Sequence, residues 1–300
     1  MSQPISQLAE WPNSFGNWGR WPGSDGTLNL NTAASVLRAA TSIRTGQTFH
    51  CARPLTVLND DREYTHTMTS VGEFRPGRHA AMDRIELDLH SIVNTHLDAL
   101  SHVGHHGHGF NGVEFDAMFD PEHSRATVAS IDTMPPVVAR AVLADIARDR
   151  GVDYLEPGDY VRPEELERAA AELDPGDVLL VRTGRWLAPR RMPGDPGASG
   201  EPLGDWAGLH VDCMEVVAEH DVALLGTDSP TDTFPTPTPD APSIHMLAEV
   251  YLGLPLLHSM DLDALAAACA EQRRRDCFFL VAPLKIAGGT GSPVAPVCVL

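Results

Sequence analysis

Lysine is almost absent from this chain: Lys285 is the only one in 300 residues, and arginine supplies the other basic side chains, 22 in all against 41 acidic ones. The formal charge of -19 repels phosphate backbones and anionic headgroups, so neither nucleic acid nor a membrane surface is an expected partner. Cysteine is scarce as well. Cys51, Cys213, Cys269, Cys277 and Cys298 are scattered, odd in number and without C-x-x-C spacing, so neither a disulfide framework nor a zinc ribbon is expected, and a reducing cytoplasm fits. No run approaches the roughly 20 apolar residues of a membrane span, and the opening Met1 to Gln7 has neither the basic nor the apolar region of a signal peptide. A soluble, cytoplasmic protein is the expectation. G-x-S-x-G, H-E-x-x-H and G-x-G-x-x-G are missing too, which removes serine-hydrolase, zincin and dinucleotide-binding readings.

What remains is a chain that is 43% hydrophobic, long enough for a sizeable core and read here as one α/β domain over residues 1–300. Trp11, Trp18 and Trp21 stand among Gly, Asn, Pro and Asp, which makes loop; Trp18 is a candidate pocket wall, and Trp11 and Trp21 are read as packing residues. Asn31-Thr32 caps an expected helix from Ala33 to about Ser42 that buries Ala34, Val36, Leu37 and Ala40. A second helix is expected over Pro163 to Leu173, with Pro in its first turn and acids near its start. Further helices are expected from Val211 to Glu219 and from Asp263 to Arg273. Val178 to Thr183, Asp221 to Pro230, Gly253 to Leu262 and Cys277 to Pro283 read as buried strands. Asp228, at the end of one of them, is a candidate substrate-side residue, because sites in α/β proteins gather at strand ends.

The densest chemistry lies in Ile92-Val93-Asn94-Thr95-His96-Leu97-Asp98-Ala99-Leu100-Ser101-His102. Ile85 to His90 alternates apolar and polar residues, so the chain is expected to enter this stretch as a strand, on which His96 and Asp98, two apart, point to the same side. Imidazole nitrogen and carboxylate oxygen suit Zn²⁺ or Mn²⁺. An extended run would put His90 about 20 Å from His96 and outside the site. The following Gly104 to Gly112, with His105, His106 and His108 among glycines, reads as an exposed or entrance loop without fixed ligand geometry.

The pattern T-H-x-D-A-x-x-H at Thr95 to His102 resembles the signature H-x-G-T-H-x-D-x-P-x-H of the metal-dependent cyclase family, which includes kynurenine formamidase and isatin hydrolase. Ile92 stands at the family's first His, and Asn94 at its Gly. The N-terminal segments W-G-R-W and G-T-L-N-L are similar to those of longer members. G-T-D-S-P at Gly226 to Pro230, His245, and L-L-H-S-M-D-L at Leu256 to Leu262 extend the likeness, with His258 where the family carries Glu. The resemblance implies the compact cyclase fold, a swivelling β/β/α arrangement with a mixed sheet, assembled as a homo-oligomer. It implies His245 and His258 as further metal ligands beside His96 and Asp98, with one Zn or Mn ion per chain given Ile92. It implies a small-molecule substrate, with hydrolysis of an amide, formamide or lactam by metal-activated water and His102 passing the proton to the leaving nitrogen. A metal-dependent cyclase or dehydratase, and a relative with an impaired site, are the alternatives.

Overall fold

The computed structural model describes residues 15–55, 64–190, 194–199 and 204–300; Trp11 lies outside them. Nine strands form one mixed sheet: β1 (Thr48–His50), β2 (His96–Asp98), β3 (Val137–Asp145), β4 (Val178–Arg182), β5 (Leu224–Thr227), β6 (Leu256–His258), β7 (Asp276–Val281), β8 (Gly291–Pro293) and β9 (Val297–Val299). Their spatial order is β1-β9-β7-β3-β4-β5-β6-β2-β8. The central strands β3, β4, β5 and β6 run parallel, and both flanks are antiparallel. Parallel strands are covered on both faces, which is why β4 is a continuous apolar run with every residue buried. Its alternation still sorts side chains. Leu179 and Val181 enter one core with Leu225 and Leu256, while Val178 and Leu180 enter the other with Leu224 and Leu257.

Helices α1 (Ala33–Ala40), α2 (Pro163–Ala170), α3 (Cys213–Glu219) and α4 (Asp263–Gln272) surround the sheet, and a π-helical turn spans Met246–Leu252. Thr32 caps α1 by accepting the Ser35 N–H. The expected buried face of α1 is wrong: Ser35 and Ala39 are buried and Leu37 is 72% exposed. Small residues, not the larger apolar ones, let α1 approach β3, where Asn31 also donates its side-chain amide to the Val138 carbonyl. Pro163 opens α2, and Glu165 reaches back to accept the Arg162 N–H. Gly253, at φ 63, ends the π-helical turn in the left-handed region against the Phe110 ring.

One strand lies outside those expected from the sequence, and one expected strand is placed elsewhere. Val137–Asp145 is a nine-residue strand at the middle of the sheet; Arg140 interrupts its apolar pattern because its guanidinium leaves the strand to bond Asp177. The strand expected to lead into the histidine motif belongs instead to a hairpin, Tyr64–Arg75 paired with Arg78–Leu87. That hairpin exposes Met68, Val71, Phe74, Met82 and Ile85. Among the described residues no helix is long and apolar enough to cross a membrane.

Candidate metal centre

β2 is only three residues long, but its pleat puts His96 and Asp98 on one side, with His96 Nε2 3.5 Å from Asp98 Oδ1. Antiparallel β6 sets His258 directly opposite His96. From there His258 Nε2 stands 2.8 Å from Asp98 Oδ2. His245, beside the π-helical turn, brings its Nε2 to 3.9 Å from the same oxygen. Three separated segments thus deliver the four side chains expected as ligands to one carboxylate.

Each imidazole is oriented from behind. His96 Nδ1 donates to the Asn94 carbonyl at 2.7 Å, and His245 Nδ1 to the Asp232 carboxylate at 2.5 Å. His258 Nδ1 lies 2.9 Å from the Thr231 hydroxyl, and the proton direction there follows from counting. Thr227 donates its hydroxyl proton to the Ser229 carbonyl, so the 3.0 Å contact between Thr231 and Thr227 uses the Thr231 proton. Thr231 must then accept from His258 Nδ1–H. This hydrogen-bond assignment leaves unprotonated Nε2 atoms on His96, His245 and His258, all turned toward Asp98. Lone pairs and a carboxylate aimed at one place repel unless a cation lies between them. Imidazoles held through Nδ1 by outer acceptors are the arrangement of metal-ligating histidines.

Charge supports the same conclusion for His96 and His258. Burial pushes the His258 imidazole down to about 3 despite Asp98, and burial also lowers His96, so both are neutral donors. Burial alone would raise Asp98; His258, followed by His90 and His96, outweighs it and holds the carboxyl well below its ordinary range. Burial works against a charged His245, but the Asp232 carboxylate overrides it and raises that imidazole.

His90 is not 20 Å away. The strand stops at Leu87, and Ser91 Oγ accepts the N–H groups of Val93 and Asn94 while Asn94 reaches back to the Asp88 carbonyl. This turn folds the chain onto itself. His90 Nδ1 ends 2.8 Å from Asp98 Oδ1, with Nε2 2.9 Å from the Thr290 hydroxyl. His102 stacks on His90 with ring centroids 3.6 Å apart, and burial pushes its imidazole down to about 4. Two overlapping groups result, His96–Asp98–His258 and His90–Asp98–His102, each with ligand atoms within 4.8 Å of one another.

Glu249, which is not among the residues expected from the sequence, is a further buried carboxylate near enough to Asp98 to feel its charge. Its side chain is fully buried on the π-helical turn, and neither oxygen has a hydrogen-bond partner of good geometry among the described residues. Burial, then Asp98, push its acid well above the ordinary range, although the Val103 backbone favours the charged form. Two buried carboxylates that feel each other's charge favour a divalent cation nearby. The signal available was H-x-x-x-E, His245 and Glu249 four apart on one helical face.

The substrate-side candidates lie apart from one another. Trp18 stacks on Tyr251 at 5.8 Å and donates its indole N–H to the Val250 carbonyl, so it covers the turn that carries Glu249. Asp228 accepts from Thr183 N and Oγ1, Gly184 N and Arg185 N, and so fixes the turn after β4. Ile92 makes none of these contacts with Asp98 and lines a cavity whose walls include none of the four side chains expected as ligands. In the histidine-rich loop, His105 bonds the Tyr251 hydroxyl at 2.7 Å.

Residues 42–232 match the model of a family described as "Putative cyclase". The match includes the motif through His102 and Asp228, and ends before His245, Glu249 and His258. A crystal structure described as a novel cyclase is 27% identical and superposes with a TM-score of 0.81, covering 95% of this chain and 100% of that one. Isatin hydrolase A from Labrenzia aggregata, bound to benzyl benzoate, is 21% identical with a TM-score of 0.55, covering 90% of this chain and 98% of that one. Isatin hydrolase A from Ralstonia solanacearum is 19% identical with a TM-score of 0.54 over the same shares of the two chains, 90% and 98%. These hydrolases share the fold. No curated protein matches the chain.

Proposed function

The chain belongs to this cyclase family, and from that premise we propose that it is a metal-dependent hydrolase cleaving the C–N bond of a small amide, formamide or lactam. One observation carries the reading: three imidazole Nε2 atoms, each held through Nδ1, face the single buried carboxylate of Asp98. We assign one Zn²⁺ or Mn²⁺ per chain, held by Asp98, His96 and His258, with His245 at the edge of the set. Ile92 and His258 stand where the family carries a His and a Glu ligand, so a single ion is the simpler occupancy. When bound, a divalent ion supplies the Lewis acidity that makes water nucleophilic near neutral pH and polarises a carbonyl.

The protein's own groups do the rest. His102 is neutral at pH 7 and stacked in place on His90, so it accepts the proton of water and returns it to the leaving nitrogen. Trp18 forms a wall on the substrate side, and Asp228 acts on that side by holding the Thr183–Arg185 turn. The isatin hydrolases of the same fold support a lactam among the substrates. A cyclase or dehydratase is the second reading, favoured by the 27% identical cyclase structure.

The test is hydrolysis of N-formylkynurenine and isatin by protein purified without chelator and supplemented with Zn²⁺ or Mn²⁺. Metal-dependent turnover is expected, and His102→Gln should lower kcat by about 10²- to 10⁴-fold with metal content unchanged. Two ions per chain by elemental analysis would overturn the stoichiometry. Failure of the metal-loaded protein on both substrates, with turnover of a hydroxy acid by ring closure or loss of water, would establish the second reading instead.

A further inference from the structure

Outside the histidine cluster, the segment that follows the carboxyl end of β4 borders a cavity of about 270 Å³ whose walls include Trp186, Trp206, Arg53, Arg185, Ile92 and Asp205. Both indoles are fixed before any ligand arrives. Trp186 donates its N–H to the Met260 carbonyl at 2.6 Å, and Trp206 donates to the Asp232 carbonyl at 2.7 Å. Trp206 is backed by the Phe234 ring at 4.8 Å. Rigid aromatic walls offer planar apolar surface at little entropic cost.

The charge is unusual for a chain with a net -19. Arg53 is committed: it pairs with Asp261 at 3.0 Å and lies over Trp186 at 4.5 Å. Asp205, the carboxylate on the wall, accepts the N–H and hydroxyl of Ser199. Arg185 is different. Its guanidinium lies 5.2 Å from the Trp186 ring and 5.5 Å from the Trp206 ring, and its Nη1 is buried with no hydrogen-bond partner among the described residues. Asp228 attracts it electrostatically, but spends its oxygens on the Thr183, Gly184 and Arg185 backbone. Burial pushes the guanidinium down to about 10, so it keeps its proton at neutral pH. A buried, charged donor without an acceptor costs free energy until an anion meets it.

We propose that this cavity binds a small aromatic carboxylate, its carboxylate on the Arg185 guanidinium and its ring against the Trp186 and Trp206 indoles. The planar fork of arginine matches a carboxylate, and the volume suits a single ring system. The site contains none of the residues assigned to the metal, so it stands or falls independently of the hydrolase reading.

Calorimetric titration of the full chain with benzoate, benzamide and acetate, before and after chelator treatment, tests it. Benzoate should bind at least about ten-fold more tightly than benzamide, which lacks the charge, and than acetate, which lacks the ring. Chelation should leave that binding in place, and Arg185→Gln should erase the preference for benzoate over benzamide. Because the probe comparison is made on the unaltered protein, it holds even if the variant does not fold. Equal affinity for benzoate and benzamide, no benzoate binding, or binding that disappears on chelation would each overturn the proposal, the last by placing the carboxylate on the metal.

Discussion

Asp98 and Asp228 are two fully buried carboxylates at the ends of strands in one sheet, and they are neutralised in opposite ways. Asp228 receives only backbone N–H groups and one hydroxyl, from Thr183 to Arg185. Those donors cannot titrate or be exchanged, and they tie the carboxylate to a turn. Burial still raises its acid above the ordinary carboxylate range. Asp98 is surrounded by imidazoles, which hold it below that range. An imidazole nitrogen can give up its place opposite a carboxylate to a cation, whereas a peptide N–H cannot. Complete burial of an acid therefore does not by itself mark a reactive site; the kind of partner does.

Removing each carboxylate separates the two roles. Asp98→Asn should lose the metal and at least about 10³-fold in kcat/KM, since the ion then has only neutral ligands; elemental analysis and turnover measure this, and full activity in the variant would dissolve the contrast. Asp228→Asn should act on the fold. An amide N–H₂ facing backbone N–H groups leaves donors unpaired, at a cost of about 2–4 kcal/mol in urea unfolding. Metal content should not change; a loss equal to that of Asp98→Asn would put Asp228 in the metal site.

Much of this was legible in the sequence where local rules governed. The 3.6-residue pattern with Pro163 and Glu165 gave α2, and the buried runs gave β4 to β7, because propensity and burial agree there. Spacing of two puts His96 and Asp98 together, and Thr32 caps α1 as its hydroxyl predicts. His90 lies against Asp98 rather than about 20 Å from His96 because side-chain bonds from Ser91 and Asn94 turn the chain where an extended run is expected. Glu249 is not legible because H-x-x-x-E within an apolar helical stretch is a weak signal by itself; only its proximity to Asp98 gives it meaning. The cavity around Arg185 joins residues from Arg53 to Ala207, a juxtaposition that only the sheet order creates.

Glu249 sharpens the comparison, for it has neither the set of backbone donors that holds Asp228 nor the imidazoles hydrogen-bonded to Asp98. Its burial without good partners is tolerated at neutral pH as the protonated acid, or as a carboxylate if a cation is near. Glu249→Gln should therefore weaken metal affinity by about 10- to 100-fold while leaving the metal-free protein as stable as before, in paired titrations of metal binding and unfolding. A variant destabilised without metal, with unchanged metal affinity, would make Glu249 a packing residue.

The smallest effect reaches the comparison through a single hydroxyl. Thr231 gives its proton to Thr227 and accepts that of His258 Nδ1, so it decides which nitrogen of His258 is bare toward Asp98. Thr231→Val keeps the shape of the side chain and removes the acceptor. The imidazole is then free to move its proton to Nε2 and donate it to Asp98 at 2.8 Å, which would make His258 a partner of the kind Asp228 has and no longer a ligand. Metal affinity should fall by about ten-fold, and the tautomer change should appear in the ¹⁵N shifts of the His258 ring in metal-free protein. If the shifts already report Nε2–H in the unaltered chain, the lone pairs do not converge on Asp98, and the fit to a cation loses its main support.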